Sequence, residues 1–220
     1  MEPRELQCLL GALYGIEVAA DVRDFLVTDR RALTPWQADG TGRDAPEELL
    51  IEEGGQELGV ALYLDAALLQ RLSTLEPRDL LCGRNLADYC TAIEGISHFN
   101  YVAWNAAREC QVTLLELEMQ AEVDKYASAR LLLSRLDSAG SAAQLLPRLF
   151  AGAAFDPALA PATLRRYEDA WGLAARYCLS LQSRYPAGAP AGAMLRELRQ
   201  FFRAPRPAKV SHIHAVVLAS

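Results

Sequence analysis

The stretch NLADYCTAIEGISHFNYVAWNAAR (residues 85–108), followed after a short polar corner by TLLELEMQAEVDKYASARLLLSRL (residues 113–136), decides how this chain folds. Apolar residues recur at helical spacing in both segments, and a corner at residues 109–112 is short enough to send the second helix back antiparallel to the first. Between Asp88 and Arg108 the sole charged side chain at neutral pH is Glu94, while Tyr89, Ile93, Ile96, Phe99, Val102 and Trp104 spread apolar surface around the cylinder. A helix apolar on nearly every side is packed on nearly every side.

Glu94 and His98 are four residues apart and share a face, which Tyr101 and Asn105 continue. On the second helix Glu118 and Glu122 point out of the stripe formed by Leu115, Tyr126, Ala129 and Leu133, whereas Glu116, Gln120, Asp124 and Arg130 supply the expected solvent-facing polarity. Counting equally from the corner sets His98 level with Glu122, with Glu94 one turn deeper and Lys125 close by. Facing seams would gather Glu94, His98, Tyr101, Glu118, Glu122 and Lys125 into one buried polar network. An unpaired buried charge costs several kcal/mol, so such a cluster is either paired internally or kept for chemistry.

Glu94, His98, Glu118 and Glu122 partly resemble the carboxylate-and-histidine sites of helical bundles that hold two irons or manganese ions. Those bundles place Glu and His three apart on two helices; here the spacing is four and occurs once. No cofactor is expected from the chain as a whole; the alternative that the resemblance implies is a divalent ion, Fe, Mn or Zn. Without metal, a desolvated Glu beside His98 would suit general acid and base chemistry. No phosphate loop, dinucleotide fingerprint, zinc-protease motif or serine-nucleophile elbow accompanies them.

The rest of the chain frames this hairpin. Leu6, Leu9, Leu10 and Leu13 predict an N-terminal helix closed by Gly15, residues 21–29 read as a strand, and residues 32–46 as a long loop. Residues 48–65 predict a β-hairpin about Gly54 and Gly55, followed by a short helix to Thr74. Residues 137–143 read as a linker, Thr163 as the cap of a helix to Tyr185, and Pro205 and Pro207 as the end of the last helix before a terminal turn. The fold class is therefore α+β and predominantly helical: a small antiparallel sheet of about three strands, then a bundle centred on the helical hairpin. Residues 1–76 and 77–220 divide the architecture but form one folding unit, since so small a sheet is marginal alone.

Charge is distributed unevenly: residues 1–160 carry 13 basic and 25 acidic side chains, and residues 161–220 carry 9 and 3. Arg196, Arg199, Arg203 and Arg206 give the C-terminal part a basic surface that either docks on the acidic body or receives a protein partner or a second copy of the chain. The net charge of −6 argues against nucleic acid. Five cysteines without metal-site or disulfide spacing, no basic and apolar leader, and no long apolar run point to a soluble cytoplasmic protein. The bias to arginine, 20 of 22 basic residues, fits a GC-rich bacterial genome. The expected function is a non-catalytic interaction or regulatory role through the basic C-terminal region, with a metal-dependent or acid/base enzyme as the alternative.

Overall fold

The computed structural model describes residues 1–36, 45–54, 57–136, 139–151, 155, 159–189 and 191–218. Helices α3 (Asn85–Ala106) and α4 (Leu114–Arg135) form the antiparallel centre of the molecule. Thr113 caps α4: its hydroxyl accepts from Glu116 N at 3.3 Å, while the Glu116 carboxylate takes Thr113 N at 3.0 Å. Around this pair lie α1 (Pro3–Tyr14), α2 (Ala66–Ser73), α5 (Ala139–Phe150), α6 (Pro161–Arg184), α7 (Ala191–Arg203) and α8 (Arg206–Leu218). Tyr14, Tyr89, Phe99, Tyr126, Tyr177 and Phe202 are the largest apolar groups fully removed from water. The fold is α+β and predominantly helical, as the hydrophobic periodicity predicts. None of the described helices is long and apolar enough to cross a membrane.

The sheet runs β1-β3-β2, with β2 (Glu47–Gly54) and β3 (Glu57–Leu64) as the antiparallel hairpin and β1 (Leu26–Val27) parallel to β3. It is thus mixed rather than wholly antiparallel. The expected strand over residues 21–29 shrinks because Asp21 accepts from Arg23 N at 3.0 Å and winds Val22–Phe25 into a 3-10 turn. Within the expected loop, Arg30–Trp36 is 3-10 helix; residues 37–44, and the hairpin tip at 55–56, lie outside the described residues.

Three boundaries differ for identifiable reasons. The expected linker at 137–143 is partly taken up by α5, which its alanines favour and its leucines bury. Pro161 rather than Thr163 opens α6, because proline suits a first turn whose N–H has no partner. Pro207 likewise sits in the first turn of α8, so the two prolines begin a helix of 13 residues instead of leading to a terminal turn. The side chains expected to face water on α4, Glu116, Gln120, Asp124 and Arg130, are all buried, since α1, α3, α5 and α6 enclose that helix on several sides.

Candidate functional site

The position of the site follows from one missing side chain. A Cβ on Gly95 would stand 2.8 Å from Glu47 Cγ and 3.0 Å from both Leu62 Cδ1 and Leu64 Cδ2, so only bare backbone lets the sheet come this close to α3. That approach brings Glu47, at the start of β2, against His98, which is 6% exposed. Glu47 Oε1 lies 3.3 Å from His98 Nδ1. On the far side of the ring, Nε2 faces Glu118 Oε2 at 3.6 Å, too far for a hydrogen bond, and has no hydrogen-bond partner among the described residues. One turn back on α3, Glu94 reaches Lys125 Nζ at 2.9 Å, and Lys125 also donates to Glu122 at 2.7 Å. A carboxylate oxygen of Glu94, a ring nitrogen of His98 and a carboxylate oxygen of Glu118 all lie within 4.8 Å of one another.

The hairpin therefore brings the predicted seams together, but one turn out of the predicted register. His98 meets Glu118 rather than Glu122, and Glu122 belongs to the Lys125 ion pair. Tyr101 does not join this network; its hydroxyl accepts from Lys209 on another face of α3.

Electrostatics in this pocket are those of carboxylates in excess. Burial alone would depress the His98 imidazole, but the flanking Glu118 and Glu47 outweigh it and push it up to about 10. Burial raises Glu47, against the opposing pull of His98. Burial would also depress Lys125, yet Glu94 and Glu122 outweigh it and hold it firmly as an ammonium. Carboxylates with one imidazole form a donor set suited to Fe(II), Mn(II) or Zn(II). Ligand atoms about 2.0–2.2 Å from an ion at tetrahedral angles stand about 3.4 Å from one another, so Glu94, His98 and Glu118, now within 4.8 Å, would draw inward around one.

Glu94 also faces outward. A cavity of about 510 Å³ is lined by Glu94, Glu122 and Lys125, by Cys90 and Arg148, and by an apolar wall that includes Leu86, Leu149, Phe155, Tyr167 and Trp171. Burial pushes the Cys90 thiol up to about 12, which keeps it neutral and poorly nucleophilic.

A second buried network, unexpected from spacing, lies elsewhere along the same two helices. Asp124 accepts from Tyr14 Oη, from Ser97 Oγ at 2.7 Å and from Gln120 Nε2 at 2.8 Å. Lys209 of α8, 0% exposed, donates to Gln120 Oε1 at 2.7 Å and Tyr101 Oη at 3.0 Å. Its ammonium lies 4.5 Å from the Tyr101 ring centroid and 5.0 Å from that of Phe201. Burial lowers Lys209 to about 7 and raises Asp124 to about 6.

The basic C-terminal residues have divided roles. Arg199 donates to Leu13 O at 3.1 Å and Ala12 O at 3.2 Å, and Arg203 to Tyr14 O at 3.0 Å and Gly15 O at 2.9 Å, which caps the carbonyl end of α1. Arg196 and Arg206 are exposed. His212, placed by its sequence position in a terminal turn, bonds Glu197 at 3.0 Å together with Arg184 and Tyr185. Burial would raise Glu197, but these three partners outweigh it and hold it at about 2.

Glu47, Gly95, Asp124 and Lys209 are the important residues that spacing within the hairpin did not reveal. One compositional signal pointed to the last of them: the chain has only two lysines among 22 basic residues, and both are packed away from water. No protein-family model, no curated protein and no solved structure matches this chain, so the assignment rests on its own geometry.

Proposed function

We propose that the protein binds a single divalent transition-metal ion through Glu94, His98 and Glu118, and that this centre serves an enzyme whose small-molecule substrate enters by the adjoining cavity. The observation that carries it is the buried His98 Nε2, which lacks a hydrogen-bond partner among the described residues and faces Glu118 at 3.6 Å, with a ligand atom each of Glu94, His98 and Glu118 lying within 4.8 Å of one another. Glu47 supports the same assignment. With an ion in place of the proton that the two carboxylates hold on the imidazole, the carboxylate on Nδ1 would fix the ring tautomer, the arrangement common behind metal-bound histidines.

Elemental analysis of protein purified without chelator tests this directly. About one equivalent of iron, manganese or zinc is expected in the wild type, with loss of that metal in Glu118→Gln and retention of the helical circular dichroism spectrum. A wild type that stays metal-free after incubation with each of the three ions sinks the proposal.

A second reading is favoured by carboxylates on both sides of the ring: a bare imidazolium tying β2, α3 and α4 together without metal. Under it, added ions leave the melting temperature unchanged. A partner-binding role for the basic C-terminal helices draws less support, since Arg199 and Arg203 are engaged on α1.

A further inference from the structure

The cavity beside Glu94 has two unlike cations in its lining. Lys125 is already matched by Glu94 at 2.9 Å and Glu122 at 2.7 Å, so this triad carries an excess negative charge and has little to offer another anion. Arg148 is a lining cation with no carboxylate partner among the described residues. One of its nitrogens, Nη2, donates to Leu81 O at 2.6 Å, which anchors the guanidinium and, among the described residues, leaves its other donors unspent. The lining also contains an aromatic corner built on Trp171 and Phe155. Trp171 meets Phe150 at 5.9 Å and Phe155 at 6.4 Å between ring centroids, the latter edge-on at 89°. A volume of about 510 Å³ falls within the range of small-molecule sites, about 300–1,000 Å³.

We infer that this cavity binds a small organic acid with a flat apolar body, its carboxylate held by Arg148 and its body laid against Trp171 and Phe155. The planar fork of a guanidinium matches a carboxylate with two parallel hydrogen bonds, and the aromatic corner contributes apolar contact without a polar requirement. An organic cation is disfavoured beside Arg148, and an inorganic anion would leave the aromatic corner unused. The inference shares Glu94 with the proposed metal centre but does not depend on an ion being there.

Isothermal titration calorimetry with 3-phenylpropionate, 3-phenylpropanamide and 3-phenylpropylamine decides it. The acid is expected to bind at least about tenfold more tightly than the amide, the worth of one charge-assisted contact. Arg148→Met, at an exposed position, should erase that preference while leaving the circular dichroism spectrum unchanged, and Trp171→Leu should weaken acid and amide alike. The inference is overturned if the amine binds as well as the acid, if Arg148→Met keeps the preference, or if the acid shows no binding at millimolar concentration. Metal content measured on the same samples separates the two proposals. Acid binding by metal-free protein would uphold the cavity while counting against the metal centre, and metal without acid binding would do the reverse.

Discussion

The same two helices carry two buried polar networks, and the networks are built on opposite plans. Around Asp124 the donors find acceptors: Tyr14, Ser97 and Gln120 converge on the carboxylate, and Lys209 closes the system through Gln120 and Tyr101. Around His98 the accounting is left open, with Nε2 unbonded, carboxylates in excess and Glu94 reaching a cavity. A satisfied network rigidifies a core, whereas an unsatisfied one that touches solvent is positioned to accept something from outside. Burial of charge alone would not have separated the two.

The largest expected effect comes from breaking the closed network. Asp124→Ala strands three donors and removes one of the two carboxylates, with Glu116, that favour the Lys209 ammonium, and should cost about 3–5 kcal/mol in urea unfolding. Glu118→Ala in metal-free protein should cost only about 1–2 kcal/mol, because His98 keeps Glu47. Equal losses would erase the distinction drawn above. Next comes Gly95→Ala, whose methyl group must displace Glu47, Leu62 and Leu64. It should destabilise by about 1–3 kcal/mol and also abolish any rise in melting temperature on adding metal, since the sheet can no longer support His98.

A pH series sharpens the comparison from the closed side. Lys209 has its folded value lowered to about 7 from 10.5, so between those limits the unfolded chain holds a proton that the folded chain has released. Stability from this residue therefore rises with pH across that window, by at most about 1.4 kcal/mol per pH unit, and is least below pH 7. The wild type should gain on Lys209→Met between pH 7.5 and 9.5; a constant gap would mean that the ammonium is not desolvated. The smallest effect belongs to the basic tail. Arg199→Glu and Arg203→Glu place negative charge at the carbonyl end of α1 and should each cost about 1 kcal/mol in thermal unfolding. Arg196→Glu and Arg206→Glu should stay within about 0.5 kcal/mol of the wild type.

What the sequence disclosed, and what it did not, follows the range of the interactions. The hairpin of α3 and α4 was legible because a helix with one charge among its central residues must be enclosed, and Glu94, His98 and Glu118 were legible because helical spacing is a local rule. Glu47 was not, because it arrives from a strand 51 residues before His98, brought there by a glycine whose reason lies in tertiary approach. Asp124 and Gln120 were read as surface because amphipathicity assumes that one face of a helix is wet, and α4 has neighbours on several sides. The register was missed by a turn because equal counting ignores any axial offset between the two helices: the observed ends, Ala106 and Leu114, still count His98 level with Glu122, yet His98 meets Glu118.

The grip of Arg199 and Arg203 on the end of α1 has a consequence for biosynthesis. Residues 12 to 15 receive these partners from positions about 187 further along the chain, so α1 is made long before the side chains that secure its end. While the ribosome is still translating, the greasy side of that helix, Leu6, Leu9, Leu10 and Leu13, waits without its final cover. Nascent chains halted before residue 199 should accordingly be strong clients for chaperones, and release from them should coincide with emergence of α7.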